Sequence, residues 1–267
     1  MAVHNDKAMK NNTRRRLAWA LTGVLFTVAT VRAAEIKVVT SGAFTAAYLK
    51  LVPEYERTTH NKLVTEFGPS MGTTHNAIPL RLERGEAIDV VIMAAPALEG
   101  LINQGKVQTG SRVDLVKSLI GMAVKAGAAK PDISSLAALK RTLLAAKSIA
   151  YSDSASGVYL STELFPKLGI ADQIRGKSKM IEADPVGESV ARGESEIGFQ
   201  QISELRPVKG IDIVGTLPPG AQRVTIFAAG IPATSKHPAE AKALIKWLAS
   251  PATYPAIKES GLESVSH

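Results

Sequence analysis

The sequence predicts an α/β protein built from two similar three-layer lobes, with parallel or mixed sheets and a hinge of two chain segments. Strand-like and helix-like stretches alternate through most of the chain, which is typical of parallel strand pairing under covering helices. Arg-Gly-Glu followed by an apolar run occurs twice, in residues 84–90 and 192–198, and indicates a repeated unit. Two apolar stretches with glycines at their edges, 119–125 and 224–232, predict where the chain passes between the lobes.

The first 33 residues are predicted to be a cleaved secretory signal peptide. A basic segment containing Arg14, Arg15 and Arg16 precedes an uncharged apolar run at 17–31, and Ala33 follows with small residues at the cleavage positions. A membrane-spanning helix needs about 20 residues, so the run is too short to span. We therefore expect a periplasmic protein that does not cross the membrane.

Composition limits the function classes that remain. The formal charge is +8, but residues 1–33 contain six Lys or Arg and one Asp, which leaves 26 basic and 23 acidic residues in the rest. This near balance removes the main support for a nucleic-acid partner. The chain has no cysteine, which excludes thiol nucleophiles and thiolate metal sites. His60, His237 and His267 form no metal-ligand pattern, and no metal or cofactor is predicted.

Lobe 1 is predicted to contain residues 34–117 and 225–267. Its strands and helices alternate in the order strand 35–40, helix 45–60, strand 63–67, helix 79–84 and strand 88–93, with two C-terminal helices at 238–248 and 254–260. Asp89 interrupts the last of these strands and is interpreted as a residue that fastens a loop.

Lobe 2 is predicted to contain residues 118–224. Its alternating elements are a helix near 134–146, a strand at 148–151, a helix at 158–168, a strand near Met180 and a strand at 197–202.

Three loops rich in Ser, Thr and Gly follow predicted strands, at 40–42, 68–73 and 152–157. Parallel α/β sheets bind ligands at the carboxyl ends of their strands, and the unpaired N–H groups of a following helix favour an anion. In any single loop the serine is better explained as a helix cap. Three such loops from both lobes favour a shared anion cleft, whose candidate ligand residues are Ser41, Gly42, Ser70, Met71, Gly72, Thr73, Ser154, Ser156 and Gly157.

Several motifs resemble the molybdate-binding branch of the type II periplasmic solute-binding proteins: EIKVVTSGAF, VTEFGPSMGTTHNAI, RGEAIDVVIMAA, AYSDSASGVYLSTELFPKLGI and AAGIPATSKHPAEAKALIKWLASPA. The resemblance covers residues 35–263 and implies the periplasmic-binding-protein-like II fold, which closes over its ligand. It also implies that Ser41, Ser70 and the backbone around Ser156, Gly157 and Val158 hold a small oxyanion, and that an ABC permease is a possible partner.

The chain departs from that family at two positions. Gln200 stands where the molybdate binders have a tyrosine, and the second loop carries an additional titratable residue, His75. Both differences favour a larger anion with several carboxylates, such as a tricarboxylate. Gln200 is compatible with two interpretations, a donor to a ligand carboxylate or a strand residue that satisfies a neighbouring group.

The same branch resembles the aconitate isomerases, exported enzymes that interconvert trans- and cis-aconitate by an allylic proton shift. That chemistry requires an acid–base residue and donors that stabilise a dienolate, and no metal. His75 is the first candidate for the base, in the first turns of a predicted helix, with Tyr159 and Glu163 as rivals and a surface position as the alternative. The competing hypothesis is a non-catalytic subunit that delivers molybdate, another oxyanion or an organic acid to an ABC importer.

Overall fold

The computed structural model describes residues 1–3, 33–182 and 184–265. The predicted signal segment falls largely on residues 4–32, and it lies outside the described residues together with His267. The fold is that of the unit that begins at Ala33. Within the described ranges, no helix combines the length and the apolar character needed to cross a membrane.

Six of the eleven strands in the described residues correspond to strands expected from the sequence. They are β1 (Glu35–Thr40), β2 (Lys62–Phe67), β3 (Val90–Ala94), β4 (Val113–Ser118), β5 (Ile120–Lys125), β6 (Ile149–Ser152), β7 (Ser178–Ile181), β8 (Ile197–Gln201), β9 (Ile211–Thr216), β10 (Thr225–Gly230) and β11 (Glu263–Ser264).

The helices range from short turns to the long helix that follows β1. They are α1 (Gly42–Thr59), α2 (Ile78–Glu83), α3 (Ala95–Asn103), α4 (Leu136–Ala145), α5 (Ala155–Tyr159), α6 (Phe165–Lys167), α7 (Ala171–Ile174), α8 (Val186–Ala191), α9 (Ile202–Leu205), α10 (Pro238–Leu248) and α11 (Tyr254–Glu259). A π-helical turn, Leu160–Leu164, joins α5 to α6.

The first lobe is built on a six-stranded mixed sheet in the order β11-β4-β10-β3-β1-β2. Strand β1 pairs in parallel with β2 and β3, whereas β10 is antiparallel to both of its neighbours. Alternate residues of β1 face two separate cores, Val38 towards α1 and α10 and Val39 towards α2 and α3. The lobe therefore has three layers, as predicted.

The second lobe is built on a five-stranded sheet in the order β7-β6-β8-β5-β9. Strand β6 is parallel to β7 and β8, and β5 is antiparallel to β8 and β9. One face packs against α4 and α5, around Leu139 and Leu160. The other face packs against α8, where Val186 and Val190 approach Gly198 so closely that a Cβ there would lie 2.6 Å from Val190. The predicted α/β class with two mixed-sheet lobes is confirmed.

Two chain segments connect the sheets, one at Leu119 between β4 and β5 and the other at 217–224 between β9 and β10. The side chain of Gln222 joins them. Its Oε1 accepts a hydrogen bond from the N–H of Ile120, and its Nε2 donates to the carbonyl of Ile120, both at 3.0 Å. The two connections therefore act as one hydrogen-bonded unit.

Three helices begin at positions different from those predicted. Helix α1 begins at Gly42 rather than at residue 45, and the helix expected at 158 begins at Ala155. Gly157 therefore lies inside a helix, and it permits a close approach because a Cβ there would lie 1.6 Å from the carbonyl oxygen of Ser152. Helix α4 begins at Leu136 behind Ser135, whose hydroxyl accepts from the N–H of Ala138.

The repeated Arg-Gly-Glu motif ends a helix in each lobe, as predicted. Gly85 follows α2 with φ of +72°, and Gly193 follows α8 with φ of +76°. These left-handed conformations are the ones that glycine adopts most readily after a helix. Each motif therefore ends a helix with a left-handed glycine in its own lobe.

Asp89 fastens the start of β3 to two other parts of the first lobe. Its Oδ1 accepts hydrogen bonds from the Ser235 hydroxyl and from the N–H groups of Lys236 and His237, and its Oδ2 accepts from the N–H of Lys37. Burial alone would raise the pKa of Asp89, but these hydrogen bonds outweigh it and hold the pKa below its usual range.

Replacing Asp89 with Asn is expected to lower the free energy of unfolding by about 2 kcal/mol at neutral pH, because hydrogen bonds to a buried charge are lost. Since the pKa is depressed in the folded state, this stabilisation is present above the unfolded pKa of about 3.9 and is lost as the pH falls through the folded pKa. Urea titrations at several pH values should show the gap between the two proteins closing below about pH 4.

The matched control is Asp172→Asn, because the Asp172 side chain is 86% exposed. It should change the free energy of unfolding by less than about 0.5 kcal/mol. A gap for Asp89→Asn that stays constant down to acidic pH would contradict the role of the Asp89 charge.

Candidate functional site

A cavity of about 490 Å³ lies between the two lobes. The first lobe contributes the start of α1, the last residue of β2, Phe67, and the following loop with Pro69 and Asn76. The second lobe contributes the loop after β6, the segment before α8, and the end of β8 together with α9. Most of these segments follow the carboxyl ends of strands, where α/β sheets place their ligand sites.

A much smaller cavity of about 10 Å³ lies next to it, between the N-termini of α1 and α5. Its lining includes Ser41, Ser154, Ser156, Gln201 and Glu204. A space of this size holds about one water molecule. It is therefore too small for a tetrahedral oxyanion in the observed arrangement.

Ser41 has the properties expected of an anion ligand. It occupies the N-cap position of α1, yet its side chain makes no capping hydrogen bond. The residue is 1% exposed, and within the described residues its Oγ has no hydrogen-bond partner. The helix-cap interpretation is therefore wrong for Ser41, and a buried hydroxyl without a partner is a group that a ligand can satisfy.

Two further polar atoms in the cleft share this property. The hydroxyl of Ser203 and the Oε1 atom of Gln201 are buried, and neither has a hydrogen-bond partner in the part of the chain that the structure describes. Ser203 lines the large cavity and Gln201 lines the small one. Together with Ser41, they give the cleft three unsatisfied polar groups from both lobes.

Ser70 and Ser154 meet across the cleft. The N–H of Ser70 donates to Oγ of Ser154 at 3.3 Å, and Oγ of Ser70 accepts from the N–H of Ala94 at 2.9 Å. Ser70 precedes no helix directly, so it does not cap one. Ser154 is the N-cap residue of α5 but makes no capping hydrogen bond. The pair connects the lobes at one side of the cleft.

The remaining predicted ligand residues fall into two groups. Gly42 and Ser156 line the small cavity, and Ser156 shares a 3.0 Å hydrogen bond with the hydroxyl of Ser152. The others do not line either cavity: Met71, Gly72, Thr73, Gly157 and Val158. The cleft thus brings together the serines of the first and third loops more closely than the glycine-rich part of the second.

The prediction that His75 lies in the first turns of a helix is wrong. Helix α2 begins at Ile78, and His75 is an exposed residue of the preceding turn that does not line either cavity. A helix that included His75 would pair its carbonyl with the N–H of residue 79, but Pro79 has none. The carbonyl of His75 instead accepts a hydrogen bond from Nη2 of Arg84.

Glu204 is a titratable residue of the cleft that the sequence analysis did not identify. Its half-buried carboxyl lines both cavities and lies against the first residue of α1, where a Cβ on Gly42 would be 1.9 Å from its Oε1. Nε2 of Gln200 donates to the same oxygen at 2.9 Å. The only signal in the sequence is the position of Glu204, just beyond the carboxyl end of β8.

Desolvation in the cleft raises the pKa of the Glu204 carboxyl to about 7. Hydrogen bonds from the Gln200 side chain and the backbone of Gln201 oppose this shift, whereas the negative charge of Asp153 adds to it. A carboxyl with this pKa exchanges its proton readily near neutral pH, which is the property of an acid–base residue.

Gln200 uses both ends of its amide inside the protein. Its Oε1 accepts from the N–H of Val186 at 2.9 Å, while its Nε2 bonds Glu204. Of the two interpretations of Gln200, the geometry corresponds to the one in which it satisfies neighbouring groups.

The charged groups around the large cavity are acidic. Asp153, Asp184 and Glu204 line it, and no Lys or Arg is among its described lining residues. The rival acid–base candidates are engaged elsewhere, since Glu163 pairs with Arg223 and the Tyr159 hydroxyl donates to the carbonyl of Ala221. Within the described ranges, no group of three or more His, Asp or Glu is arranged to hold a metal ion.

Comparisons with known proteins agree with this architecture. The family model described as bacterial extracellular solute-binding protein matches residues 36–263. An aconitate isomerase of Pseudomonas sp is 49% identical over 230 residues, which is 86% of this chain and 88% of that protein. The molybdate-binding protein ModA of Azotobacter vinelandii is 28% identical over 92% of this chain and 96% of its own length. The solved Azotobacter vinelandii periplasmic molybdate-binding protein superposes with a TM-score of 0.67 at 23% identity, over 87% of this chain and 99% of that one.

Gly42→Ala is expected to displace the Glu204 carboxyl from the N-terminus of α1, because the new methyl group would occupy the space of its Oε1. The carboxyl would then gain solvent, and its pKa should fall from about 7 towards the value of about 4.3 for a hydrated glutamate. A ¹³C NMR pH titration of the Glu204 carboxyl carbon measures this.

Gly100→Ala serves as the matched control, because a Cβ on that helical glycine of α3 would meet nothing within 4 Å. Its Glu204 pKa should equal that of the unmodified protein. An unchanged pKa in Gly42→Ala would show that the contact does not determine the desolvation of Glu204.

Proposed function

The chain belongs to the bacterial extracellular solute-binding protein family, and from this premise we propose that it is an exported aconitate isomerase, which interconverts trans- and cis-aconitate by an allylic proton shift. The observation that carries the proposal is the 49% identity to an aconitate isomerase over 86% of this chain and 88% of the relative. Identity at this level over nearly the whole fold supports a shared reaction as well as a shared architecture.

The size of the cleft supports a ligand larger than an oxyanion. Pockets for small organic ligands have volumes of roughly 300–1,000 Å³, and the large cavity has about 490 Å³. The space beside Ser41, in contrast, is limited to about 10 Å³ by the Glu204 carboxyl. The two volumes are consistent with a tricarboxylate in the large cavity that directs one carboxylate to the start of α1.

The polar groups of the cleft suit the proposed reaction. When a proton leaves the methylene carbon of aconitate, the C–H electron pair forms a new C=C bond, and the old double bond takes a proton at its far carbon. Negative charge builds on the adjacent carboxylate during this transfer. The hydroxyls of Ser41 and Ser203, which have no hydrogen-bond partner among the described residues, can stabilise that charge without a metal, together with the N-terminus of α1.

Among the described lining residues of the large cavity there is no Lys or Arg, so a bound trianion relies on neutral donors. Binding such an anion next to Glu204 favours the protonated form of that carboxyl, because like charges repel. A carboxylate made more basic in this way removes a carbon-bound proton more readily at any pH that keeps it ionised.

The proposed cellular setting is the periplasm. The family is extracellular by its description, and the basic and apolar pattern of residues 1–33 supports delivery by a cleaved signal peptide. The alternative is a subunit that passes molybdate or an organic acid to an ABC permease, and the 28% identity to a molybdate-binding protein is its support.

The direct test of the proposed function is proton NMR of the protein that begins at Ala34, mixed with trans-aconitate in deuterated buffer. We expect the cis-aconitate signal to grow and solvent deuterium to enter the allylic carbons. Absence of turnover, together with thermal stabilisation by molybdate, would replace the enzyme with a transport subunit.

Ser41→Ala is expected to lower kcat/KM for trans-aconitate about 10- to 100-fold, because a hydrogen bond to a charged group contributes about 1.5–3 kcal/mol. Initial rates measured by absorbance give this ratio. Ser250→Ala is the matched control, since its hydroxyl bonds the carbonyl of Trp247, outside the lining of both cavities. Equal kcat/KM values for the two variants would remove Ser41 from the site.

A further inference from the structure

Glu204 lies at a contact between the two lobes inside the cleft. It belongs to α9 of the second lobe, and its carboxyl contacts Gly42 at the start of α1 in the first lobe. It lines both cavities, a position that it shares with Gly42 and Ser154. Among these three residues, Glu204 is the one with a titratable side chain.

The carboxyl is held in a defined orientation. Nε2 of Gln200 donates to its Oε1 at 2.9 Å, and Oε1 of Gln200 is itself fixed by the N–H of Val186 at the start of α8. Gln200 is 5% exposed, so its amide does not rotate freely in solvent. A carboxyl supported by such a buried amide presents the same face to any ligand in the large cavity.

We propose that Glu204 is the catalytic acid–base residue, which removes the proton from the methylene carbon of aconitate, exchanges it with solvent, and delivers a proton to the far carbon of the allyl system. This assignment rests on the proposed isomerase function. The C–H bond breaks as an O–H bond forms on Glu204, the electron pair shifts to make the new C=C bond, and the O–H bond then breaks as the far carbon gains the proton. Glu204 begins and ends the cycle as a carboxylate, so the step needs no other reactant.

The charged residues around Glu204 influence the pH at which its carboxyl ionises. Asp153 acts on it from the loop after β6, and Asp184 lines the same cavity from the segment before α8. Helix α1 contributes Gly42, Thr45, Ala46 and Leu49 to the lining and no charged side chain. Arg206, which follows α9, is directed away, because its Nη1 donates to the carbonyl of Glu259.

The experiment compares Glu204→Gln with unmodified protein on trans-aconitate. Loss of a general acid–base group should lower kcat about 10²- to 10⁴-fold and abolish deuterium incorporation into the substrate in deuterated buffer. Calorimetry should still detect trans-aconitate binding, because glutamine keeps the size of the side chain. The matched control is Glu188→Gln, an exposed residue of α8, which should keep the unmodified kcat.

A second measurement uses the pH profile of kcat/KM. The base must be ionised, so the rate should fall as the pH drops below about 7, the pKa of Glu204. Asp153→Asn removes a neighbouring negative charge, so it should lower that pKa and move the acidic limb to lower pH. This variant keeps Glu204 and decides the question if Glu204→Gln does not fold.

The outcomes separate the assignment from the proposed function. If unmodified protein does not turn over trans-aconitate, the isomerase function itself fails. If it does, and Glu204→Gln folds and retains kcat within about threefold with deuterium still incorporated, another residue is the base. The assignment would also be overturned if Asp153→Asn did not shift the acidic limb of the kcat/KM pH profile. Activity lost in His75→Gln but kept in Glu204→Gln would give the role to His75.

Discussion

The cleft depends on one contact, the approach of the Glu204 carboxyl to the backbone at the start of α1. The contact is possible because residue 42 is glycine, and any side chain there would occupy the space of the carboxyl. Glu204 is desolvated where this contact lies, both cavities border it, and the two lobes meet there. The volume of the cavities, the charge beside them and the pKa of Glu204 are therefore all related to this contact.

The rest of the fold brings these two groups together. Parallel strands in each lobe direct their carboxyl ends towards the cleft, so α1 and α9 begin on opposite sides of it. Gln222 couples the two connecting segments at the back, and Ser70 meets Ser154 at the front. Arg206 adds a hydrogen bond to the carbonyl of Glu259 across the lobes. The geometry around Glu204 is thus supported from several directions.

The architecture could be predicted from local sequence, whereas the central residue of the site could not. Buried strand β3 is an uninterrupted apolar run, β8 begins as one before its two glutamines, and helix ends carry Gly85 and Gly193. Strand β4 was missed because polar and charged residues interrupt it, and its pairing with β10 is a long-range property. His75 attracted attention because its residue type titrates near neutral pH. Glu204 acquires the same property only through α1 and Asp153, which are distant in sequence, so its surroundings had to be seen in the fold.

The position of the Glu204 carboxyl also affects how long a ligand stays bound in the cleft. A carboxylate attached to the protein beside the N-terminus of α1 is present there at a high effective concentration, as any tethered group is. It would therefore compete with a ligand carboxylate for the donors at this helix N-terminus. A transport subunit gains from retaining its cargo until it reaches a partner, whereas a catalyst gains from releasing product quickly. Under the proposed isomerase function, this one residue of α9 would favour the release of product over the retention of a ligand.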